Sequence, residues 1–185
     1  MAEKYLEPFR IDTPIYADER GLFTPAEITK NIPDFKTVQV NTVCTENPYT
    51  FRGLHWQVPP FAQAKLIRCL IGNIIDFAID IREGSPNYGK TFAFALSKPA
   101  QWVYIPEGFA HGYFTLPHNM MKTYPTMVEY LVNNEYSPEH ERGLFMTKEI
   151  HDTINRELPI GTDLKMSDRD WKWPNCDEFK TDFYF

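Results

Sequence analysis

The stretch KLIRCLIGNIIDFAIDIR, which runs from Lys65 to Arg82, decides the fold class. Its two halves, Lys65–Leu70 and Asn73–Arg82, are short apolar runs of the length and composition typical of buried strands. Between them, Gly72 followed by Asn73 is a dipeptide typical of a tight turn. The sequence therefore predicts a β-hairpin over residues 65–82.

Further short strands are predicted on both sides of this hairpin. Val38–Cys44 alternates its side chains with the period of a strand that has one polar face. Other predicted strands, separated by Gly- and Pro-containing turns, are Thr91–Leu96, Trp102–Ile105, Gly112–Leu116 and Val128–Asn133. Helices are predicted only at Thr24–Asn31 and Lys148–Arg156. The pattern indicates an all-β sandwich or jelly-roll barrel with a few short helices, whose interior could hold a ligand.

Length, charge and composition exclude several classes of protein. The chain has 185 residues, 43% of them hydrophobic, which predicts one globular domain over residues 1–185. The net charge is −6 and no basic cluster is present, so we expect no nucleic-acid binding, which requires neutralised phosphates. No apolar run reaches the roughly 20 residues of a membrane span, and the first residues lack a signal-peptide core. Three cysteines cannot all pair, so we expect a cytoplasmic protein that does not contact membranes.

The residues best suited to chemistry begin at Arg52-Gly53-Leu54-His55-Trp56-Gln57. Residues 52–57 fit a strand. If this strand and the one that begins near Lys65 are antiparallel neighbours, His55 lies beside the Lys65 ammonium group. An imidazole can remove a proton from a carbon next to a ketone, and an ammonium can stabilise the oxygen anion that forms. The same spacing also fits a hydrogen-bonded core histidine beside a surface lysine, and both interpretations stay open here.

The histidines and cysteines show none of the spacings typical of a metal site. The histidines are His55, His111, His118, His140 and His151, without a His-x-His or His-x-x-x-His pair, and Cys-x-x-Cys is absent. A glycine-rich phosphate loop and a Gly-x-Ser-x-Gly motif are absent too. We therefore expect no bound metal and no cofactor, and neither triphosphate hydrolysis nor serine-esterase chemistry.

Five motifs in order give the chain a resemblance to the dTDP-4-dehydrorhamnose 3,5-epimerase family over about residues 8–174. The motifs are Arg52–Gln57, Gln63–Lys65, Asp80–Pro86, Pro106–Gly112 and Tyr136–Gly143. The resemblance implies a cupin-like jelly roll that works without metal, as a homodimer whose partner subunit completes part of each active site. It also implies proton removal next to the 4-keto group of a nucleotide-linked 6-deoxyhexose, and proton return on the opposite face. Carbon 3, carbon 5 or both would be inverted.

The resemblance assigns roles to four catalytic residues. His55 matches the family's base, and Asp170 matches the carboxylate that orients the base. Tyr130 matches the acid, and Lys65 matches the lysine near the keto oxygen. Asp80 is a second candidate for the partner of His55, because it lies on a nearby predicted strand.

The resemblance also implies a set of substrate-binding positions. They are Arg20, Phe23, Gln39, Asn41, Arg52, His111, Tyr136 and Glu141. Arg20 and Arg52 match residues that hold the pyrophosphate and neighbouring sugar, a role that suits the forked donors of arginine. We expect Tyr136 to stack on the nucleotide base.

Two other functions stay open. A 3,4-ketoisomerase would move the carbonyl of a nucleotide-linked ketosugar through the same enediol chemistry and yield a 3-keto sugar. A non-catalytic nucleotide-sugar-binding module is the alternative from a different class. It is motivated by Pro25 and Trp171, which stand where the family has Glu and Arg.

Overall fold

The computed structural model describes residues 6–26, 28–29, 32–117, 125–175, 181 and 183. These residues contain twelve strands and one α-helix, α1 (Lys148–Glu157). The strands are β1 (Phe9–Asp12), β2 (Tyr16–Asp18), β3 (Gly21–Phe23), β4 (Gln39–Thr45), β5 (Phe51–Gln57), β6 (Lys65–Ile71), β7 (Asn73–Asp80), β8 (Thr91–Leu96), β9 (Gln101–Ile105), β10 (Phe109–Leu116), β11 (Thr126–Val132) and β12 (Glu141–Gly143). Short 3-10 helices lie at Pro138–His140 and Asp170–Lys172.

Ten of the described strands form two antiparallel five-stranded sheets. The first sheet has the order β1-β9-β6-β11-β4, and the second has the order β12-β5-β10-β7-β8. Strands β2 and β3 pair only with each other, as a separate hairpin. This arrangement confirms the predicted all-β sandwich of the jelly-roll type.

Apolar side chains hold the layers together on three levels. Between the sheets, Ile67 and Val103 of the first sheet pack with Ala78 and Phe109 of the second. The outer face of the second sheet is covered by α1, and that of the first sheet by the segment that contains Ile28. Since strand side chains alternate between faces, the polar residues of the inner positions point into the space between the sheets.

The predicted hairpin over residues 65–82 is wrong in its pairing, although both strands form. β6 pairs with β9 and β11, whereas β7 pairs with β8 and β10. Gly72, with a φ of 99°, carries the chain from one sheet to the other. Both strands are buried on two faces, because neighbouring residues of each strand pack into different cores: Leu66 and Ile67 of β6, and Phe77 and Ala78 of β7. Each strand therefore occupies an interior position between two neighbours in its own sheet.

The other predicted strands form, with ends shifted by up to three residues. The helix predicted at Lys148–Arg156 is α1, which buries Ile150 and Ile154 on one face and begins after the cap residue Thr147. No α-helix is present in the described part of Thr24–Asn31, and residues 27, 30 and 31 lie outside the described residues. Within the described ranges, no helix has the length and apolar character needed to cross a bilayer.

Candidate active site

An open cavity of about 830 Å³ lies between the inner faces of the two sheets. Its walls come from β4, β6 and β11 of the first sheet, from β5 and β10 of the second, and from the segment that leads to Asp170. All four catalytic candidates line it, namely His55, Lys65, Tyr130 and Asp170. The fold thus brings together residues that are up to 115 positions apart in the chain.

His55 is bonded to Asp170, and not to Asp80. The Nε2 atom of His55 lies 2.7 Å from Oδ1 of Asp170, which is 3% exposed. The backbone N–H of Gly53 donates to the other carboxylate oxygen at 3.3 Å. Burial by itself raises the pKa of Asp170, but these hydrogen bonds and the nearby charges outweigh it and hold the pKa below its ordinary value. Asp170 is therefore an anion that orients the imidazole.

Asp80, the second candidate for this role, has different partners. Its carboxylate accepts hydrogen bonds from Arg82 and from Ser85, each at 2.6 Å, in a buried cluster. Asp80 of β7 and His55 of β5 both pair with β10, but at different positions. Asp80 stands opposite Phe109 and His55 stands opposite His111, so the two side chains project from different points of the sheet. The interpretation of Asp80 as the partner of His55 is wrong for this reason.

Lys65 reaches His55 from the opposite sheet. Its Nζ atom lies 3.5 Å from the backbone oxygen of His55. The expected juxtaposition is present, but the expected cause is wrong, because β5 and β6 belong to different sheets and do not pair. Burial lowers the pKa of Lys65 to about 8, against the opposing effect of the charges of Glu141 and Asp76. At neutral pH the Lys65 side chain is a cation, although it holds its proton less tightly than the side chain of an exposed lysine does.

Tyr130 supplies a phenol from the wall that faces His55. It lies on β11, opposite Asn41 of β4 and beside Ile67 of β6, with its side chain half-buried. Burial and then the charge of Glu141 raise the pKa of Tyr130. The phenol keeps its proton at neutral pH, so it can act as a proton donor.

A second histidine–aspartate pair lies at the same cavity, with His111 on its wall and Asp76 buried behind His111, and sequence reasoning missed the aspartate. The Nε2 atom of His111 is 2.8 Å from Oδ2 of Asp76, and both side chains are buried. His111 stands directly opposite His55 in the β5–β10 register. Burial lowers the pKa of His111, although the negative charge of Asp76 opposes this effect. The sequence does contain a signal for Asp76, because its charged side chain interrupts the apolar run of β7.

Arg169 is another cavity residue that sequence reasoning missed, although it stands next to Asp170. Its guanidinium donates to Oε2 of Glu141 at 2.6 Å, and one of its nitrogens lies 3.5 Å from His55 Nε2. Glu141 also accepts a hydrogen bond from the Tyr136 hydroxyl at 3.0 Å. Two of the expected binding residues, Tyr136 and Glu141, are thus held together at the cavity with Arg169.

The remaining binding candidates fall into two groups. Arg52 and His111 line the cavity, whereas Gln39, Asn41, Arg20 and Phe23 do not line it within this chain. Gln39 donates to Asn41 at 2.6 Å on the edge strand β4, and its amide oxygen accepts the backbone N–H of residue 136. Arg20 and Phe23 are exposed on the β2–β3 hairpin.

Comparison with known proteins identifies the family. The family model described as dTDP-4-dehydrorhamnose 3,5-epimerase matches residues 5–178. The chain belongs to the dTDP-4-dehydrorhamnose 3,5-epimerase family. A relative with this name from Sinorhizobium fredii is 37% identical over 175 residues, which are 92% of this chain and 85% of that protein. The relative from Shigella flexneri is 36% identical over 84% of this chain and 83% of that protein.

Solved structures of epimerases have the same fold. The enzyme from Bacillus anthracis, with TDP and PPi bound, superposes with a TM-score of 0.77 at 30% identity, over 95% of this chain and 97% of that one. The Legionella pneumophila enzyme in complex with dTDP-4-keto-L-rhamnose superposes with a TM-score of 0.78 at 28% identity, over 94% of this chain and 89% of that one. The resemblance inferred from the motifs, the cupin-like jelly roll and the isomerase class are confirmed.

Proposed function

We propose that this protein inverts carbon 3, carbon 5 or both of a dTDP-linked 4-keto-6-deoxyhexose, as a dTDP-4-dehydrorhamnose 3,5-epimerase. The observation that carries the proposal is the pair His55–Asp170, which faces Lys65 and Tyr130 across one cavity. Inversion needs a base on one side of a carbon and an acid on the other, and these residues project from opposite sheets.

The first half of the reaction is carried out by His55. With Nε2–H donated to Asp170, the lone pair of Nδ1 takes the proton from the carbon next to the ketone. The C–H electron pair moves onto the keto oxygen, which gives an enolate and an imidazolium. Asp170 stabilises the imidazolium, and the ammonium of Lys65 stabilises the enolate oxygen.

The second half returns a proton to the other face. The phenol O–H of Tyr130 breaks, its proton forms the new C–H bond, and the enolate collapses to the ketone with inverted configuration. The enzyme is then left with a phenolate and an imidazolium. Loss of one proton to water and gain of another restore both residues. For this reason the hydrogen at an inverted carbon exchanges with solvent.

The substrate-binding residues extend the proposal to the nucleotide. Arg52 lies at the cavity, where its Nε–H donates to the Thr45 hydroxyl at 3.1 Å, which leaves its terminal nitrogens to bind the pyrophosphate. His111 lies deeper, held by Asp76, and suits a sugar hydroxyl or keto oxygen. Tyr136 is 51% exposed beside the cavity and offers a flat ring on which the base can stack.

A homodimer is part of the proposal, because it gives a role to residues that one chain leaves outside the cavity. The β2–β3 hairpin carries Phe23 and Leu22 at 65% and 57% exposure, together with Arg20. Among the described strands β4 forms an edge of the first sheet, and Val40 on it is 56% exposed. A partner subunit that covers this edge would bring its Arg20 and Phe23 to the cavity, near Gln39 and Asn41.

The proposal also holds that the protein acts as one domain over residues 1–185, in the cytoplasm and without a metal or cofactor. Cys44 and Cys69 are free thiols, as suits a reducing compartment. In the part of the chain that the structure describes, no three His, Cys, Asp or Glu residues are grouped to hold a metal ion.

The experiment is incubation with a dTDP-linked 4-keto-6-deoxyhexose in heavy water, followed by mass spectrometry and NMR. We expect one deuterium per inverted carbon, at carbon 3, carbon 5 or both. His55→Ala should abolish the exchange, and His151→Ala, on the exposed face of α1, should leave it unchanged. Formation of a 3-keto sugar would replace the proposal with a ketoisomerase. Tight binding without exchange would replace it with a binding module.

A further inference from the structure

Trp173 lies against the base without any role in the chemistry described above. The centroids of the Trp173 and His55 rings are 6.2 Å apart, and their planes meet at 69°, an edge-to-face arrangement. The indole Nε1–H is buried and has no hydrogen-bond partner among the described residues. Its contribution in this place is therefore packing on His55, together with a cation–π contact from the Arg169 guanidinium, which lies 5.9 Å from the centre of the indole.

One turn of 3-10 helix delivers both the carboxylate and the indole to His55. The turn spans Asp170–Lys172, and Trp173 is the residue that ends it. Because a 3-10 helix has three residues per turn, side chains three positions apart lie one above the other. Both ends of this segment are tied down, since Trp171 N–H donates to the Ser167 oxygen at 3.1 Å and Phe145 N–H donates to the Pro174 oxygen at 2.8 Å.

The strand next to His55 leaves room for the indole. Gly143 of β12 stands directly opposite His55 in the β5–β12 register. A Cβ atom on Gly143 would lie between 2.1 and 2.4 Å from three atoms of the Trp173 indole. The side chain of Trp173 thus occupies the space that any other residue at position 143 would fill.

We propose that Trp173 is a positioning residue for the epimerase base. Its indole limits rotation of the His55 imidazole, holds the ring against Asp170 and excludes water from that side of the pair. This inference rests on the proposed function, in which His55 must meet a C–H bond in one orientation. Misplacement of a reacting group by about 1 Å can reduce a rate on the order of 100-fold.

The decisive variants are Trp173→Ala and Trp173→Phe, with Trp171→Ala as the matched control. Trp171 lies two residues away, is half exposed and packs on Phe145. In Trp173→Ala we expect kcat for deuterium wash-in to fall about 10- to 100-fold, with KM changed less than about threefold. Trp173→Phe keeps an aromatic edge and should recover most of the rate. Trp171→Ala should stay within about twofold of the wild type.

A double-variant cycle separates positioning from general stability. In the Asp170→Asn background, Trp173→Ala should cause little further loss, because the alignment that it protects is already gone. Additive losses, or equal losses in Trp173→Ala and Trp171→Ala, would overturn the inference. If Trp173→Ala does not fold, Gly143→Ala tests the same contact by displacing the indole, and it should lower kcat in the same way.

NMR of the free protein distinguishes failure of this inference from failure of the proposed function. The carbon-bound protons of the His55 ring should change their chemical shifts in Trp173→Ala and keep them in Trp171→Ala. Unchanged His55 signals in Trp173→Ala would refute the contact whatever the activity. A wild-type enzyme without deuterium exchange, but with the expected NMR change, would refute the proposed function and leave the packing of Trp173 on His55 established.

Discussion

Lys65 is needed for activity in the proposed mechanism, but its buried charge should lower the stability of the folded protein. The structure buries its ammonium group, leaving the residue 8% exposed, and burial lowers its pKa from 10.5 to about 8. Each tenfold loss of proton affinity on folding corresponds to about 1.4 kcal/mol, so the charged lysine costs the folded state about 3 kcal/mol. We expect Lys65→Met, which keeps the length of the side chain, to recover part of this cost at pH 7.

The sign of the pH dependence follows from the direction of this shift. Between pH 8 and 10.5 the unfolded chain binds the proton of Lys65 more tightly than the folded chain does. The penalty is therefore complete below pH 8 and disappears as the pH rises towards 10.5. The stability difference between Lys65→Met and the wild type should shrink over the same range.

The assay is urea unfolding at pH 7 and at pH 9.5, with Lys98→Met as control. Lys98 is exposed, so its replacement should change the free energy of unfolding by less than about 0.5 kcal/mol. Lys65→Met should raise that free energy by about 1–3 kcal/mol and lower turnover by at least about 100-fold. A Lys65→Met protein that is less stable than the wild type at pH 7 would refute the reasoning. It would show that Asp76 and Glu141 more than compensate for the burial of the ammonium.

The remaining predictions concern the chemistry and one buried ion pair. Wild-type turnover should fall as the pH rises above about 8, since Lys65 then loses its proton, and a pH–rate profile that stays flat to pH 9.5 would contradict this. Asp170→Asn should lower kcat for exchange by about 10²- to 10⁴-fold with little change in KM, and near-normal turnover would remove Asp170 from the mechanism. Tyr130→Phe should slow inversion, measured by NMR of the product, more than deuterium wash-in, and equal losses would argue against its role as the acid. Arg82→Met should destabilise the protein by about 3–5 kcal/mol in urea unfolding, because it leaves Asp80 buried without its cation, and a loss below about 1 kcal/mol would contradict this.

Local pattern was sufficient for most of the secondary structure. The alternation in residues 38–44 shows the two-residue period of a strand, and the continuous apolar runs of residues 65–82 are typical of strands buried on both faces. A sequence displays both patterns directly. The same is true of Lys148–Glu157, where Ile150 and Ile154 mark one face of a helix. Five ordered motifs were also sufficient for the family, and for placing His55 and Tyr130 in one site.

The choice of neighbours lay outside that local pattern. Residues 65–71 and 73–80 have the composition of hairpin strands, yet each is buried on both faces and needs its own pair of partners. Periodicity records that a strand is buried, and it does not record which strand lies beside it. The true relation of His55 to Lys65, across the cavity and not along a ladder, therefore could not be derived from spacing.

By itself, the sequence determined the strands β4 to β11, the helix α1, the all-β class and the family, because these follow from residue order over short ranges. Only the tertiary structure decided the order of the sheets, the choice of Asp170 over Asp80, the pairing of Asp76 with His111, and the contact of Trp173 with the base. Those features depend on packing between segments far apart in the chain. The free energy of such contacts comes from side chains that meet only after the two sheets close on each other.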